Sequence, residues 1–397
     1  MSPSAKAILK PGREKSLLRR HPWVFSGAIA RVQGRPSSGE TVEVVSAGGE
    51  FLAHASYSPA SQIRLRAWTF DAAETVDESF FRKRLQQALE ARRLLGLLEK
   101  GAACRVVFGE SDGLPGLVVD RYGEFLVCQF LGAGAELWRR TIVEILAQLL
   151  GPAGIYERSE SAGRRKEGLE SKQGLLAGRA PPAAMQVERH GVILPVNVEH
   201  GQKTGAYLDQ QENRTRIASY ACGARVLDAF SYSGGFGIAC LKRGAVEATL
   251  VETSGGALAL AAEAARLNGV EQGCRRHKGD VFGVLRRLCE EGEKFDLLIL
   301  DPPKFAHSAA QVSAASRAYK DINRLGLQLL RRGGLLGTFS CSGHVEPALF
   351  QKIVAGAAVD AGRRAQIVES FGQPADHPVA LSFPESAYLK GLLLRVQ

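Results

Sequence analysis

From about Val192 to the C-terminus, apolar runs of strand length alternate with helical spacing, and four successive segments end in an acid: Asp228, Glu252, Asp280 and Asp301. The order is a strand ending at Asp228, GAVEATLVE ending at Glu252, a helix over Gly255 to Leu267, CRRHKGD ending at Asp280, a helix over Val281 to Glu290, and FDLLILDPPKF. A helix over Ser316 to Leu330, the run LLGTFSCSGH, another helix and two late strands (AQIVESFG and YLKGLLLRV) complete the series. Continuously apolar strands in alternation with helices dictate a parallel sheet covered on both faces. In such α/β sheets ligands bind beyond the carboxyl ends of the strands. One acid there would mean little. Four in succession would line a single crevice.

The stretch VLDAFSYSGGFG, Val226 to Gly237, opens this region. Val226 and Leu227 end a buried strand, Asp228 stands at its carboxyl end, and Phe230, Ser231, Tyr232, Ser233 and Gly234 form a turn into a helix. Glycine lets backbone approach a ligand closely. The turn does not read G-x-G-x-x-G, and its carboxylate lies within its own strand end, which suits a cationic or hydroxyl-bearing ligand better than a pyrophosphate. If that ligand is S-adenosylmethionine, each acid has a task. Glu252, with Thr253 beside it, accepts hydrogen bonds from ribose hydroxyls; Asp280 and the backbone of Val281 hold the adenine amino edge; Asp228 and the turn face the methionine end. The plainer reading of Glu252 and Asp280 is helix N-capping, which acids do well.

Asp301-Pro302-Pro303-Lys304-Phe305 follows the next strand. Prolines after the acid stiffen the backbone and remove donors, so a carboxylate and nearby carbonyls are presented to a planar base. Ser340-Cys341-Ser342, at the end of the strand after that, places a thiol beside the proline loop. Most cysteines are inert core residues, and the other six, including Cys222, Cys240 and Cys289, are assigned to that class.

The remaining chain divides into two expected segments. Residues 1–70 read as a small β-rich unit, with short apolar runs (TVEVVSAGG, EFLAHASYS, SQIRLRAW) between turn residues. Ahead of them KSLLRRHPWVFSGAI interleaves Arg19, Arg20 and His21 with Trp23 and Phe25. Cations among aromatics suit phosphate contact plus base stacking, although Trp23 and Phe25 are equally well read as barrel core. Residues 72–190 read as an α+β segment: a helix over Asp77 to Leu98, strands around Gly-Leu-Pro-Gly, a helix from about Ala135 to Leu150, and a polar basic loop over Gly163 to Gly174. Arg164, Arg165 and Lys166 in that loop either touch phosphate or keep it soluble, with the second reading favoured. Nothing in this segment forms a catalytic constellation. Residues 191–397 form the third part.

Composition narrows the setting. A net charge of +10 points to a polyanionic partner such as nucleic acid. Seven scattered cysteines without a C-x-x-C pair argue for a reducing compartment and against zinc ribbons. No apolar run approaches the ~20 residues of a membrane helix, and the N-terminal MSPSAKAILKPGREK lacks a secretory pattern. The expectation is a cytoplasmic protein with no metal.

With these residues in view, the chain resembles the ribosomal RNA large subunit methyltransferase I family, cytosine-C5 methyltransferases with an N-terminal PUA domain. KSLLRRHPWVFSGAI and GLPGLVVDRYG look like its first two domains; GQKTGAYLDQQENR, DAFSYSGGFG, DPPKF and SCS match its methyltransferase motifs. The resemblance implies a PUA-like domain, an α+β middle domain and a class I (Rossmann-like) methyltransferase domain using S-adenosylmethionine. It also implies that Lys203, Thr204, Tyr207 and Asp209 lie at or near the cofactor. Relatives often carry Asp where Glu252 stands, and a second cysteine beside the proline loop, common in other RNA cytosine-C5 methyltransferases, is missing here. The implied chemistry makes Cys341 the nucleophile at cytosine C6 and Asp301 the acid that holds the base edge. Arg19, Arg20, His21 and Lys304 are the expected RNA contacts; a homodimer is left open. Two alternatives stand beside this: a base N-methyltransferase in which Cys341 is a bystander, and a non-catalytic RNA-binding or assembly factor.

Overall fold

A computed structural model describes residues 5–99, 101–183 and 185–397. The chain forms two compact units, one of Met1–Met185, Asn197–Leu208 and Ala375–Ser386, the other of Gln186–Val196, Asp209–Pro374 and Ala387–Gln397. The expected segments 1–70 and 72–190 thus fall almost wholly in the first unit.

The first unit carries two sheets. One runs in the order Trp23–Phe25, Ile63–Thr69, Phe51–Tyr57, Thr41–Val45, Lys6–Leu9, Ile29–Gln33. Alternation in strands such as TVEVV turns Val42 and Val44 into a core shared with Leu9, Leu17, Val24 and Leu65. The other runs Lys172–Gly178, Gly154–Ser159, Phe125–Phe130, Leu117–Tyr122, Ala103–Phe108. The helices Glu78–Leu94 and Arg139–Leu150 contribute Phe81, Leu85, Ile142 and Leu146 to one apolar core with Val106, Val119 and Phe130. Asp77 caps the first helix by accepting the Phe80 N–H at 3.0 Å, and that helix ends at Leu94 rather than running on to Leu98.

Two expectations for this unit need correction. The helix from about Ala135 is two helices, Ala133–Leu137 and Arg139–Leu150, broken at Trp138. The basic stretch from Gly163 is not all loop: it overlaps the helix Ala162–Lys166 and includes the start of the strand Lys172–Gly178, and although Arg165 and Lys166 are exposed as expected, Arg164 is not. Arg164 is buried at 1% exposure, paired with Glu136 at 2.8 Å and donating to the Phe130 and Glu170 carbonyls. A charge removed from water must be paired, so this arginine is structural.

The returning segments join the first unit through similar buried polar contacts. Arg92 forks onto Asp112 (2.5 and 2.8 Å) and donates to the Asp376 carbonyl at 2.9 Å. Arg105 forks onto Asp120 (both 2.8 Å), which also accepts the Thr204 hydroxyl at 2.6 Å.

The second unit holds a seven-stranded sheet in the order Cys274–Lys278, Glu247–Glu252, Arg225–Ala229, Phe295–Leu300, Leu330–Ser340, Lys390–Val396, Ala365–Gly372. Six of these strands run in one direction, and Lys390–Val396 lies antiparallel between its two neighbours. The expected parallel sheet therefore carries one reversed strand. A parallel neighbour needs a crossover, usually helical, and the connection from Gly372 to Lys390 contains only the 3-10 turn Pro384–Ser386. Successive residues of a strand face opposite sides: Leu227 enters a core with Leu298, Leu300, Tyr319 and Phe350, while Val226 enters another with Ile238, Leu250, Ile299 and Phe339.

Candidate active site

Register brings the site to one sheet edge. Ala229 pairs with Val251 on one side and Leu300 on the other, and Leu300 pairs with Thr338. Glu252, the last residue of its strand, and Asp301 and Cys341, which directly follow theirs, therefore emerge at the same carboxyl edge.

Asp228 is 1% exposed. Its Oδ2 accepts the Gly237 N–H at 2.9 Å, whereas Oδ1 is buried with no hydrogen-bond partner among the described residues. Burial pushes its carboxyl up to about 7; Asp301 and Glu252 add to the rise, and Arg214 opposes it. The turn that follows is strained: Phe230 (φ 63°) and Tyr232 (φ 48°) both occupy the left-handed region, at a cost of order 1–3 kcal/mol each. Gly237 has a different constraint, because a Cβ there would lie 2.2 Å from the Leu250 side chain. Glu252 holds the turn from the neighbouring strand. One of its oxygens accepts the Tyr232 N–H at 3.0 Å; the other accepts the N–H groups of Thr253 (2.8 Å) and Ser254 (3.0 Å).

Asp280 follows the strand Cys274–Lys278 and caps the next helix, its carboxylate accepting the Gly283 N–H at 2.8 Å. Val281 beside it is buried, Thr253 is exposed, and Ser231 and Ser233 are buried in the turn. Buried polar atoms in folded proteins nearly always have partners. Among the described residues, Asp228 Oδ1 at the strand end and Ser231 Oγ in the turn after it have none. An acceptor and a hydroxyl in want of partners fit a ligand that brings an amino group and a carboxylate.

Asp301 is half-buried, with its N–H directed to the Ala229 carbonyl at 3.4 Å. Gln210 donates to its Oδ1 at 2.9 Å, and Asn213 in turn donates to Gln210 Oε1 at 2.7 Å and to the Gly372 carbonyl. Pro302 is buried; Lys304 is exposed. Cys341 is half-exposed, as are Cys274 and Cys289, and Cys222 is exposed, so the expectation that the other six cysteines are all core residues is corrected; Cys104, Cys128 and Cys240 are the buried ones. Burial drives those three thiols upward, Cys104 to about 12.

Hydroxyls and one cation brace the Cys341 loop. Ser340 Oγ donates to the Tyr319 hydroxyl at 2.9 Å, that hydroxyl lies 3.0 Å from Ser342 Oγ, and Ser342 Oγ accepts the Ala306 N–H at 3.2 Å. Lys390 donates to the Ser342 and Val345 carbonyls at 2.6 and 2.7 Å. Burial pulls its ammonium down to about 8, with the charge of Cys341 pulling the other way.

The GQKTGAYLDQ segment spans both units. In the first, Thr204 is fully buried against Asp120 and the Tyr122 hydroxyl (2.8 Å), the Lys203 ammonium lies 4.3 Å from the Tyr207 ring centroid, and the Tyr207 hydroxyl donates to Gln202. In the second, Asp209 accepts the Tyr388 hydroxyl at 2.6 Å. Gln210, next to Asp209, went unassigned from sequence although it orients Asp301. Lys390 and Tyr319 were missed outright.

The expected RNA contacts differ among themselves. Arg19 is exposed. Arg20 donates to the Phe70 carbonyl at 3.2 Å and lies over the Phe70 ring. His21 accepts the Trp23 N–H on Nδ1, which leaves Nε2 to donate to Glu385 at 3.2 Å. Trp23 is half-buried and donates to Glu110 at 2.8 Å, while Phe25 is 52% exposed, so only one of the two aromatics is withdrawn from solvent.

Residues 7–70 match the model of a PUA-like domain, and residues 166–395 match the model of S-adenosylmethionine-dependent methyltransferases. A protein named ribosomal RNA large subunit methyltransferase I from Escherichia coli O139:H28 (strain E24377A / ETEC) is 50% identical over 394 residues, covering 99% of this chain and 100% of that one. The chain belongs to the ribosomal RNA large subunit methyltransferase I family. A protein of the same name from Shigella boydii serotype 4 (strain Sb227) is also 50% identical, covering 99% of this chain and 100% of that one. As in its family, the chain is an S-adenosylmethionine-dependent methyltransferase. The fold recurs in a chain assigned as a SAM-dependent methyltransferase from Streptococcus mutans (TM-score 0.84, 22% identity, 98% of this chain and 99% of that one). It recurs again in a methyltransferase complexed with SAH (TM-score 0.85, 22% identity, 98% of this chain and 99% of that one).

Proposed function

We propose that this member of the family methylates cytosine C5 in large-subunit ribosomal RNA through a covalent bond between Cys341 and cytosine C6. The observation that carries the reading is the emergence of Asp301 and Cys341 from adjacent, hydrogen-bonded strands at one sheet edge, the acid oriented by Gln210 and the thiol half-exposed. The relatives' name supports ribosomal RNA as the substrate.

S-adenosylmethionine supplies an electrophilic methyl group. In this reading Asp228, Ser231 and the turn through Phe230, Tyr232, Ser233 and Gly234 bind its amino-acid end. Glu252 and Thr253 bind the ribose, Asp280 and Val281 the adenine, with Lys203, Thr204, Tyr207, Asp209 and Pro302 at the margins. Cytosine C5 is too weak a nucleophile to react unaided. The target base must first leave its stack. The Cys341 thiolate then forms a bond to C6, pushing electron density to C5, while Asp301 holds the N3/N4 edge and favours protonation at N3. After C5 is methylated its proton leaves to a base, the electron pair returns to the ring and the bond from sulfur to C6 breaks. Arg19, Arg20 and His21, with the exposed Phe25, serve the RNA from the N-terminal domain, and Lys304 serves it beside the target base.

Mass spectrometry of nucleosides from RNA treated with enzyme and S-adenosylmethionine tests the assignment. 5-Methylcytidine is the expected product. An N-methylated base would move the chemistry away from Cys341, and an unmodified RNA would leave only a binding role.

A further inference from the structure

Lys390 is a buried cation whose hydrogen bonds go to backbone carbonyls. It lies in the antiparallel strand directly opposite Ser340, is 8% exposed, and spends two of its three N–H donors on the Ser342 and Val345 carbonyls. No ion pair to an acid reaches it among the described residues. Burying a charge without a counter-charge is costly, and carbonyl dipoles offset only part of that. The loop it clasps begins one residue after Cys341. Other ionisable groups near this place are Tyr319, whose hydroxyl is taken up by Ser340 and Ser342, Lys304 and Glu346, which are exposed and of opposite sign, exposed His344 in the clasped loop, and Asp301 at the end of the adjacent strand, whose negative charge opposes a thiolate.

We propose that Lys390 is the counter-ion that makes Cys341 a thiolate, and that its two carbonyl contacts hold the loop that aims the sulfur. The inference rests on the reading of Cys341 as nucleophile. Lys390 acts through Cys341 and is a positioning residue: the thiol proton leaves to solvent, the ammonium keeps its own, and no bond to lysine forms or breaks. Burial pulls its ammonium down to about 8, so it is still mostly protonated at neutral pH, where the thiolate is needed. Near that value it begins to lose its proton, and the activation fades with it.

The test is alkylation of Cys341 by iodoacetamide in the full-length protein without RNA, followed by peptide mass spectrometry across pH. Only the thiolate reacts. Wild-type enzyme is expected to show a midpoint below the ordinary thiol value of about 8.5. K390Q keeps N–H donors for the carbonyls but loses the charge; its midpoint should rise by about one pH unit or more, a tenfold loss of thiolate at neutral pH. K390R should restore most of it. An unshifted midpoint in folded K390Q overturns the proposal. Should K390Q fail to fold, the wild-type curve decides alone, and a midpoint at or above about 8.5 overturns it. Methylation by Cys341→Ala separates the two readings: activity lost there, with an unshifted thiol midpoint in K390Q, removes Lys390 and leaves the nucleophile in place.

Discussion

Two loops leave the same sheet edge and are built in opposite ways. The turn after Asp228 is strained and under-satisfied: two non-glycine residues sit at positive φ, and a buried carboxylate oxygen and a buried hydroxyl lack partners among the described residues. The loop around Cys341 is saturated, its serine hydroxyls closed onto Tyr319 and its carbonyls onto Lys390. Strain and unmet polar demand store free energy that a ligand can release. Saturation instead fixes one side chain where it must be. The first loop is shaped to need a molecule, the second to hold a sulfur still.

The largest effect that can break this contrast is at the saturated loop. Cys341→Ala should leave fold and S-adenosylmethionine affinity intact and abolish methylation, read by tritium transfer to RNA. A near-normal rate would remove the nucleophile from the account.

At the turn, Asp228→Ala and Glu252→Ala should each weaken S-adenosylmethionine binding by about 1.5–3 kcal/mol, one to two decades, since a charge-assisted hydrogen bond is lost. Calorimetric titration measures this on folded protein. Equal affinity in wild type and both variants would leave the turn without its assigned ligand.

Asp228 also makes the contrast visible in pH. Its folded value is about 7, against about 3.9 in an unfolded chain. Between these values the folded state keeps a proton that the unfolded state has released, so burial of this acid subtracts stability progressively as pH rises through that window. Without cofactor, denaturant midpoints should therefore gain from Asp228→Asn at pH 8 relative to pH 4. An identical gain at both would mean that the carboxylate ionises in the fold as it does in the open chain.

The smallest effect concerns the expected RNA face of the first unit. Arg19→Ala should weaken RNA binding modestly and lower the slope of log K against log salt by about 0.7–0.9, the loss of one phosphate contact. Arg20→Ala should do less, because Phe70 already engages its guanidinium. Equal slopes in all three proteins would place RNA capture elsewhere.

What could be read from sequence was local. Apolar runs ending in Asp228, Glu252 and Asp301 disclosed the sheet edge because strand and acid are contiguous. Asp280 was legible as an acid before a helix, but its strand stops at Lys278. What stayed hidden depended on pairing between distant segments. Arg164 looked like part of a soluble loop because its partners Glu136 and Phe130 lie on other elements. Lys390 looked like one cation in an apolar strand until antiparallel register set it opposite Ser340. That reversal was itself illegible, since alternation of strands and helices says nothing of a last strand that returns without a helix. Gln210 is a different case. It stood inside a recognised motif, and its role emerged only with its hydrogen bond to Asp301.

The central claim is a covalent bond between Cys341 and the target base, and a 5-fluorocytidine-substituted RNA tests it directly. Fluorine at C5 leaves no proton to remove after methyl transfer, so the sulfur cannot depart. Wild-type enzyme with S-adenosylmethionine should give a protein–RNA complex that survives denaturing electrophoresis and maps to the Cys341 peptide, and Cys341→Ala should give none. A substrate that is methylated normally as unmodified RNA, yet forms no complex when fluorinated, would contradict the account.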